Sequence, residues 1–121
     1  MTTLSRAKDL QQRTKQFAVR VIQASARVPK TAAGRVLTNQ FLRSGTSLAA
    51  NYRAACRSRS AADFISKISI ATEETDETLF WFELVVESNL VKAGVMQPMM
   101  DECEQLLKIL SKSLATAKSN R

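Results

Sequence analysis

The sequence contains no histidine, and this absence removes several catalytic chemistries at once. Serine and cysteine nucleophiles that depend on a histidine base are excluded, and so are the Glu-x-x-His ligands of di-iron helical bundles. The chain also has only three glycines and no glycine-rich phosphate loop. We therefore expect a protein that is not an enzyme and that carries no cofactor.

Proline, cysteine and long apolar runs are scarce as well. Two prolines and abundant Ala, Leu, Lys, Glu, Gln and Arg favour helices, and the alternation typical of strands is missing. Cys56 and Cys103 match no metal or redox spacing, so we interpret them as small buried hydrophobes. No segment approaches the ~20 apolar residues of a membrane span, and residues 1–10 lack an apolar signal core. A cytoplasmic protein without a membrane partner is the expectation.

Apolar residues at three-four spacing predict four helices, over about residues 4–27, 31–56, 61–90 and 98–118. Ser60, with Asp63 three residues later, resembles a capping box that opens the third helix. Gly94 is predicted to lie just past the end of that helix, and Pro98 in the first turn of the fourth. Because the links are short, neighbouring helices should run antiparallel. The chain, residues 1–121, is thus predicted to be a single all-α domain, an antiparallel up-down-up-down four-helix bundle.

The predicted third helix has a second apolar face. Ile70, Trp81 and Leu84 project away from the line of its core residues, and Phe80 lies near them. Exposed apolar faces of this kind usually mark an interface, so we assign these residues to the contact of a homo-oligomer. The alternative is a helix that is buried more deeply within its own bundle.

A string of polar residues runs along the predicted second helix. If the turn after it centres near residue 59, Arg43 lies opposite Asp76 and within reach of Glu73 and Glu77. We interpret this group as a buried structural salt bridge that fixes register, with a recognition pocket as the alternative. The predicted network also includes Gln40, Ser44, Ser47 and Asn51. Carboxylates suit a hard cation, but the acids of residues 73–77 spread around the helix, so no metal site is expected.

Charge is divided unevenly along the chain. The first 60 residues hold twelve basic residues and one acid, and the remaining 61 hold six and ten. Arg6, Arg13, Arg20 and Arg27 are spaced seven apart, which places them as a ladder along one edge of the first helix. Because guanidinium groups suit phosphate, we interpret the ladder as part of a surface that binds nucleic acid. Four further arginines in outer or loop positions extend this predicted surface: Arg35, Arg53, Arg57 and Arg59. The alternative is that the ladder pairs with a neighbouring helix or subunit, since the third helix offers carboxylates.

A motif in the middle of the chain resembles a known family. It reads Gln40-x-x-Arg43-x-x-x-Ser47-x-x-x-Asn51, then an Arg/Ser-rich link and Ser60-x-x-Asp63-Phe64. The chain resembles the four-helix-bundle proteins encoded by intervening sequences in bacterial 23S rRNA, to which the accessory variability determinants of diversity-generating retroelements are related. One departure is that many members read Asn-Ile-Ala-Glu-Gly where this chain has Asn-Tyr-Arg-Ala-Ala from residue 51.

The resemblance implies more than the pattern of residues does. It implies a homopentamer around a central channel, a basic surface suited to RNA or DNA, and no known enzymatic activity. For the retroelement members it also implies a reverse-transcriptase partner. Two functions from different classes follow from the sequence: a nucleic-acid-binding bundle, or an interaction scaffold whose charges serve assembly with itself or with another protein.

Overall fold

The computed structural model describes residues 2–121 and consists of four helices joined by short links. They are α1 (Thr3–Ser25), α2 (Ala32–Cys56), α3 (Ala61–Glu87) and α4 (Ala93–Ser119). No strand occurs in the described range. The all-α prediction and the number of helices are confirmed. None of the helices in this range is both long and apolar enough to span a bilayer.

Three of the helices are capped by a hydroxyl residue, and the cap of α3 is the one that the sequence predicts. The side chains of Thr2, Thr31 and Ser60 each accept a hydrogen bond from the backbone N–H three residues later, at 3.0–3.1 Å. These bonds satisfy donors that the first turn of a helix leaves without partners. The predicted start of α3 at Ser60 is therefore correct.

The predicted end of α3 is wrong by about three residues. Asn89 adopts a left-handed conformation with φ of 61°. Its N–H donates to Val86 at 3.0 Å, and the N–H of Leu90 donates to Val85 at 3.1 Å. This is a Schellman closure, in which asparagine takes the position that glycine most often occupies.

The position of Gly94 and the start of α4 are corrected for the same reason. Because Asn89 already ends α3, Gly94 is free to lie in the first turn of α4. That helix starts at Ala93 rather than near residue 98, so Pro98 lies within it. Pro98 lacks an N–H and cannot bond to the carbonyl of Gly94, but both residues are exposed, so water can satisfy that carbonyl.

The core forms where the apolar stripes of the helices meet. The ring of Phe82 packs against Phe41 and Phe17, with centroids 5.2 and 6.5 Å apart. A second cluster, centred on Ile68 and Leu110, continues the core beyond these rings. α2 packs on α1 and α3, and α3 also packs on α4, while α1 and α4 have much the sparsest contact. One seam of the bundle is thus loosely packed.

The close approach of α1 to α2 depends on a glycine. Gly45 is buried, and a Cβ placed on it would lie 2.7 Å from one Val21 methyl carbon and 2.9 Å from the other. Val21 is fully buried and β-branched, so it has little freedom to move aside. The backbone of α2 therefore packs directly against the Val21 side chain.

We predict that Gly45→Ala destabilises the protein by about 1–3 kcal/mol, because overpacking forces α1 and α2 apart. The matched control is Gly94→Ala, which meets no atom within 4 Å. It should leave stability unchanged or raise it by up to ~1 kcal/mol, because alanine is the better helix former. Urea denaturation of both variants measures the difference. Equal stability of the two variants would contradict the close approach.

Candidate nucleic-acid interface

Parts of all four helices meet around an open groove at one end of the bundle. The groove has a volume of about 1170 Å³ and follows the loosely packed seam between α1 and α4. Its lining comes from the start of α1, the end of α2, the start of α3 and the end of α4. We call the three segments that meet here, residues 2–12, 53–67 and 108–121, the basic end.

The basic end holds most of the excess positive charge of the chain. Its three segments contain ten basic residues and two acids, while the rest of the chain contains eight basic residues and nine acids. The basic residues are Arg6, Lys8, Arg53, Arg57, Arg59, Lys67, Lys108, Lys112, Lys118 and Arg121. Most of them are exposed, and Lys67 is partly exposed. Folding thus concentrates charge that the sequence distributes over both of its halves.

The predicted arginines divide between two places. Arg6, Arg53, Arg57 and Arg59 belong to the basic end. Arg27 lies in the link between α1 and α2, and Arg35 follows in the first turns of α2. Sequence reasoning missed the four basic residues that follow residue 107. The available signal was the antiparallel pattern itself, which would place the end of α4 beside the start of α1.

The arginine ladder of α1 faces α4, and its second member, Arg13, forms a salt bridge with that helix. Arg13 donates from Nε and Nη2 to the two carboxylate oxygens of Glu102, at 2.8 and 2.6 Å. Arg20 and Arg27 line a small cleft beside Met96 and Met99 of α4. The neighbouring-helix alternative therefore applies to Arg13, but the acid comes from α4 and not from α3. The charge of Arg13 is therefore already paired within the bundle.

The salt bridge with Arg13 changes the pKa of Glu102. The hydrogen bonds from Arg13 hold the pKa of the Glu102 carboxyl below its ordinary value, and the charges of Arg13 and Arg20 act in the same direction. Partial burial of the carboxyl opposes this effect. A two-point contact between a guanidinium and a carboxylate fixes orientation as well as distance. The pair therefore ties α1 to α4 across the seam where the two helices have few other contacts.

Arg43 forms the predicted salt bridge between α2 and α3, but the bridge is exposed rather than buried and includes only one of the three predicted partners. It donates to Glu74 at 3.0 Å and to Glu77 at 3.1 Å, and its side chain is 51% exposed. Glu77 was among the predicted partners, whereas Asp76 and Glu73 are exposed and form no ion pair within residues 2–121. Residues 74 and 77 lie one turn apart on one face, and Asp76 is rotated about 100° from Glu77. The bridge lies at the surface, where such pairs contribute ~0–1 kcal/mol.

The remaining polar residues of α2 form two separate contacts instead of one network. Asn51 donates from its side-chain nitrogen to the carbonyl and the hydroxyl of Ser47, both at 3.0 Å. Ser44 and Thr78 are fully buried and share a hydrogen bond of 2.8 Å between α2 and α3. The side chain of Gln40 is half-buried and makes no hydrogen bond in the described part of the chain, so its predicted place in the network is wrong.

The second apolar face of α3 lies beside the Arg43 bridge. Ile70, Trp81 and Leu84 are each half-buried, and Phe80 is 50% exposed with its ring 5.1 Å from that of Trp81. Trp81 packs from its edge against the main core, and its Nε1 is buried without a hydrogen-bond partner among the described residues. The predicted contact residues thus surround a charged pair on the outer side of α3.

Neither cysteine is set up for thiolate chemistry. Cys103 is fully buried and its Sγ donates to the carbonyl of Thr75 at 3.3 Å. Burial, with nearby acids, raises the pKa of the Cys103 thiol to about 12. Cys56 is half-buried in the wall of the groove, and burial raises the pKa of its thiol as well. Both side chains act as apolar contacts.

The lowered pKa of Glu102 predicts how the stability of the fold changes with pH. The pair should stabilise the fold above the ordinary glutamate pKa of about 4.3 and lose that effect as pH falls through the lower folded value. At pH 7 we expect Glu102→Gln to be about 1 kcal/mol less stable than the wild type, and the difference should shrink below pH 4. Denaturant unfolding between pH 7 and 2 measures it, with exposed Glu104→Gln as the control. A difference independent of pH would contradict the pair.

Comparison with known proteins connects this arrangement to a family. One crystal structure is similar to the chain with a TM-score of 0.83 and 29% sequence identity, and covers 90% of this chain and 97% of its own. That protein, from Bacteroides thetaiotaomicron VPI-5482, belongs to the S23 ribosomal protein family and has unknown function. No curated protein matches the chain. The family model of the 23S rRNA-intervening sequence proteins matches residues 6–112. The chain therefore belongs to the 23S rRNA-intervening sequence protein family.

Proposed function

We propose that this protein is a non-enzymatic helical bundle that binds the backbone of structured RNA or DNA through its basic end. The observation that carries the proposal is the concentration of ten basic residues against two acids in the three segments at the grooved end of the bundle, where Arg6 and Lys112 line the groove itself. Arginine and lysine side chains at a surface bind phosphates and release condensed counterions, which gives affinity without sequence specificity.

The proposed contact is with the backbone rather than with bases. Tyr52, the aromatic residue nearest to the Arg53–Arg59 segment, is only 5% exposed and therefore has no free face for stacking. Phe64 is half-buried in the wall of the groove. Proteins that read single strands offer exposed aromatic rings to successive bases. A surface of exposed cations without such rings favours recognition of the shape and charge of a duplex.

The test compares two triple variants that remove the same charge at different ends of the molecule. Changing Arg53, Arg57 and Arg59 to Gln should weaken binding to a short RNA duplex. It should also flatten the slope of log affinity against log salt by about 0.7–0.9 for each lost contact. The control changes Arg20, Arg27 and Arg35 to Gln, and it should alter the slope by less than about 1. Fluorescence anisotropy between 50 and 300 mM NaCl, about the range where such contacts weaken, measures both.

Equal losses in the two triple variants would mean that net charge alone matters and that the basic end is not the site. A wild type that fails to bind at low salt would refute the nucleic-acid function itself. That result would favour the second candidate, an interaction scaffold whose charges serve protein contacts.

Self-association is part of the proposed function. We propose that the helices run up-down-up-down and that bundles assemble through the outer face of α3, with the pentamer of the resemblance as the expected state. The antiparallel direction is supported by the contact of Arg43 with Glu77 near the middle of both helices, while Ala55 clusters with Ile68 close to their link. The face is supported by the half-exposed Phe80 next to Leu84 and Ile70.

We predict that Leu84→Glu lowers the mass in solution, because a carboxylate would be placed in the apolar contact without a partner. Light scattering at micromolar concentration should give several times the 13.4 kDa of one chain for the wild type and a smaller mass for the variant. The control is Val19→Glu on α1, where Val19 is already 48% exposed. A monomeric wild type would contradict self-association, and an unchanged mass in Leu84→Glu would contradict the assigned face.

A further inference from the structure

The floor of the groove at the basic end is made chiefly of aliphatic side chains. Leu10 and Ile109 are half-buried in its two walls, and Leu4 is 67% exposed at its outer edge. Ala55 and Phe64 contribute apolar surface from α2 and α3. An apolar floor between two polar walls is a surface that the apolar side chains of a partner can bury. It also has no place in the binding of phosphates.

The shape of the groove suits a helix. Its lining extends over residues 4–13 of α1 and 109–117 of α4, which is about 13 Å of each helix at 1.5 Å per residue. The Arg13–Glu102 pair lies at the inner limit of the α1 lining and holds the two helices together there. A partner helix of two to three turns could lie along this seam, as amphipathic helices do in apolar grooves.

The charges at the edge of the groove indicate what such a helix carries. Arg6 and Lys112 are exposed on opposite walls, and Asp9 is the single acid among the lining residues. The charge of Arg13 is already matched by Glu102. Carboxylates on both flanks of a bound helix would meet these cations. Phe64 is half-buried and Tyr52 is only 5% exposed, so the lining offers no series of exposed rings for successive bases, and it favours a helix over an unpaired strand.

We propose that this groove docks an amphipathic helix of another protein, with apolar residues at i, i+3 or i+4 and i+7 and with carboxylates on both flanks. The site is separate from the outer face of α3, because Ile70, Trp81 and Leu84 contribute nothing to its lining. Docking of a helix is a function separate from nucleic-acid binding, since the aliphatic floor and the two flanking cations, Arg6 and Lys112, would select the partner helix. The basic end would then serve a protein partner as well as a polyanion.

A designed fluorescent peptide of about four turns, with a leucine stripe and glutamate flanks, tests the proposal directly. It should bind at micromolar affinity, and a scrambled peptide of the same composition should bind at least about tenfold more weakly. Ile109→Glu should weaken binding about tenfold or more, and Lys112→Glu by about threefold or more. The matched control is Lys15→Glu, which reverses an exposed charge on α1 that lies outside the basic end and does not line the groove. It should change affinity by less than about twofold.

A second measurement uses the wild type and does not depend on the variants folding. Cys56 lines the groove, whereas Cys103 is 0% exposed, so alkylation should report on Cys56 alone. The bound peptide should slow alkylation of Cys56. Failure of the peptide to protect Cys56, or equal binding of the scrambled peptide, would overturn the proposal. So would protection of Cys56 by an RNA duplex but not by the peptide, or a change in solution mass caused by Ile109→Glu, which would indicate a second copy in the groove.

Discussion

The contact of α1 with α2 at Gly45 is the constraint on which the rest of the structure depends. Without a side chain at this position, the backbone of α2 lies against the methyl groups of Val21, within 3 Å of where a Cβ would stand. Three seams of the bundle are well packed, and the fourth, between α1 and α4, has few contacts beyond the Arg13–Glu102 pair. The groove and the exposure of neighbouring cations both follow from that unequal packing.

Loose packing of one seam also explains why the arginine ladder has more than one role. Its four members share one edge of α1, and that edge faces α4. Arg6 and Arg13 line the groove, and Arg13 is also paired with Glu102. Arg20 and Arg27 line the small cleft near the start of α4. A repeat of seven residues fixes the edge on which the side chains lie, but the partners opposite each turn decide what each arginine does.

Local signals in the sequence predicted most of the helical structure. Hydroxyl caps and apolar spacing give the starts of α1, α2 and α3 closely, because these effects act within a few residues. The end of α3 was missed because Asn89 adopts the left-handed conformation more often associated with glycine. The start of α4 was missed because Pro98 was assigned to the first turn, although the helix extends five residues further back.

Features that depend on the relative rotation of helices were harder to predict. The hairpin register correctly indicated that Arg43 meets α3 near residue 76, but choosing between Glu74, Asp76 and Glu77 requires the rotation of α3 about its axis. In the same way, Val85 and Thr78 of α3 are fully buried whereas Val86 is half-buried, and apolar spacing alone does not decide between such neighbours. The basic end was predicted only in part for a related reason, since it gathers residues from both ends of the chain and from the central link.

The central claim is that folding brings these distant cations together into one binding surface, and a map of the RNA contact on the protein tests it most directly. Backbone amide shifts of the labelled protein, recorded during titration with a short RNA duplex at low salt, would provide that map. We predict that the largest changes fall in residues 2–12, 53–67 and 108–121. Changes centred instead on residues 27–35, at the link between α1 and α2, would contradict the account.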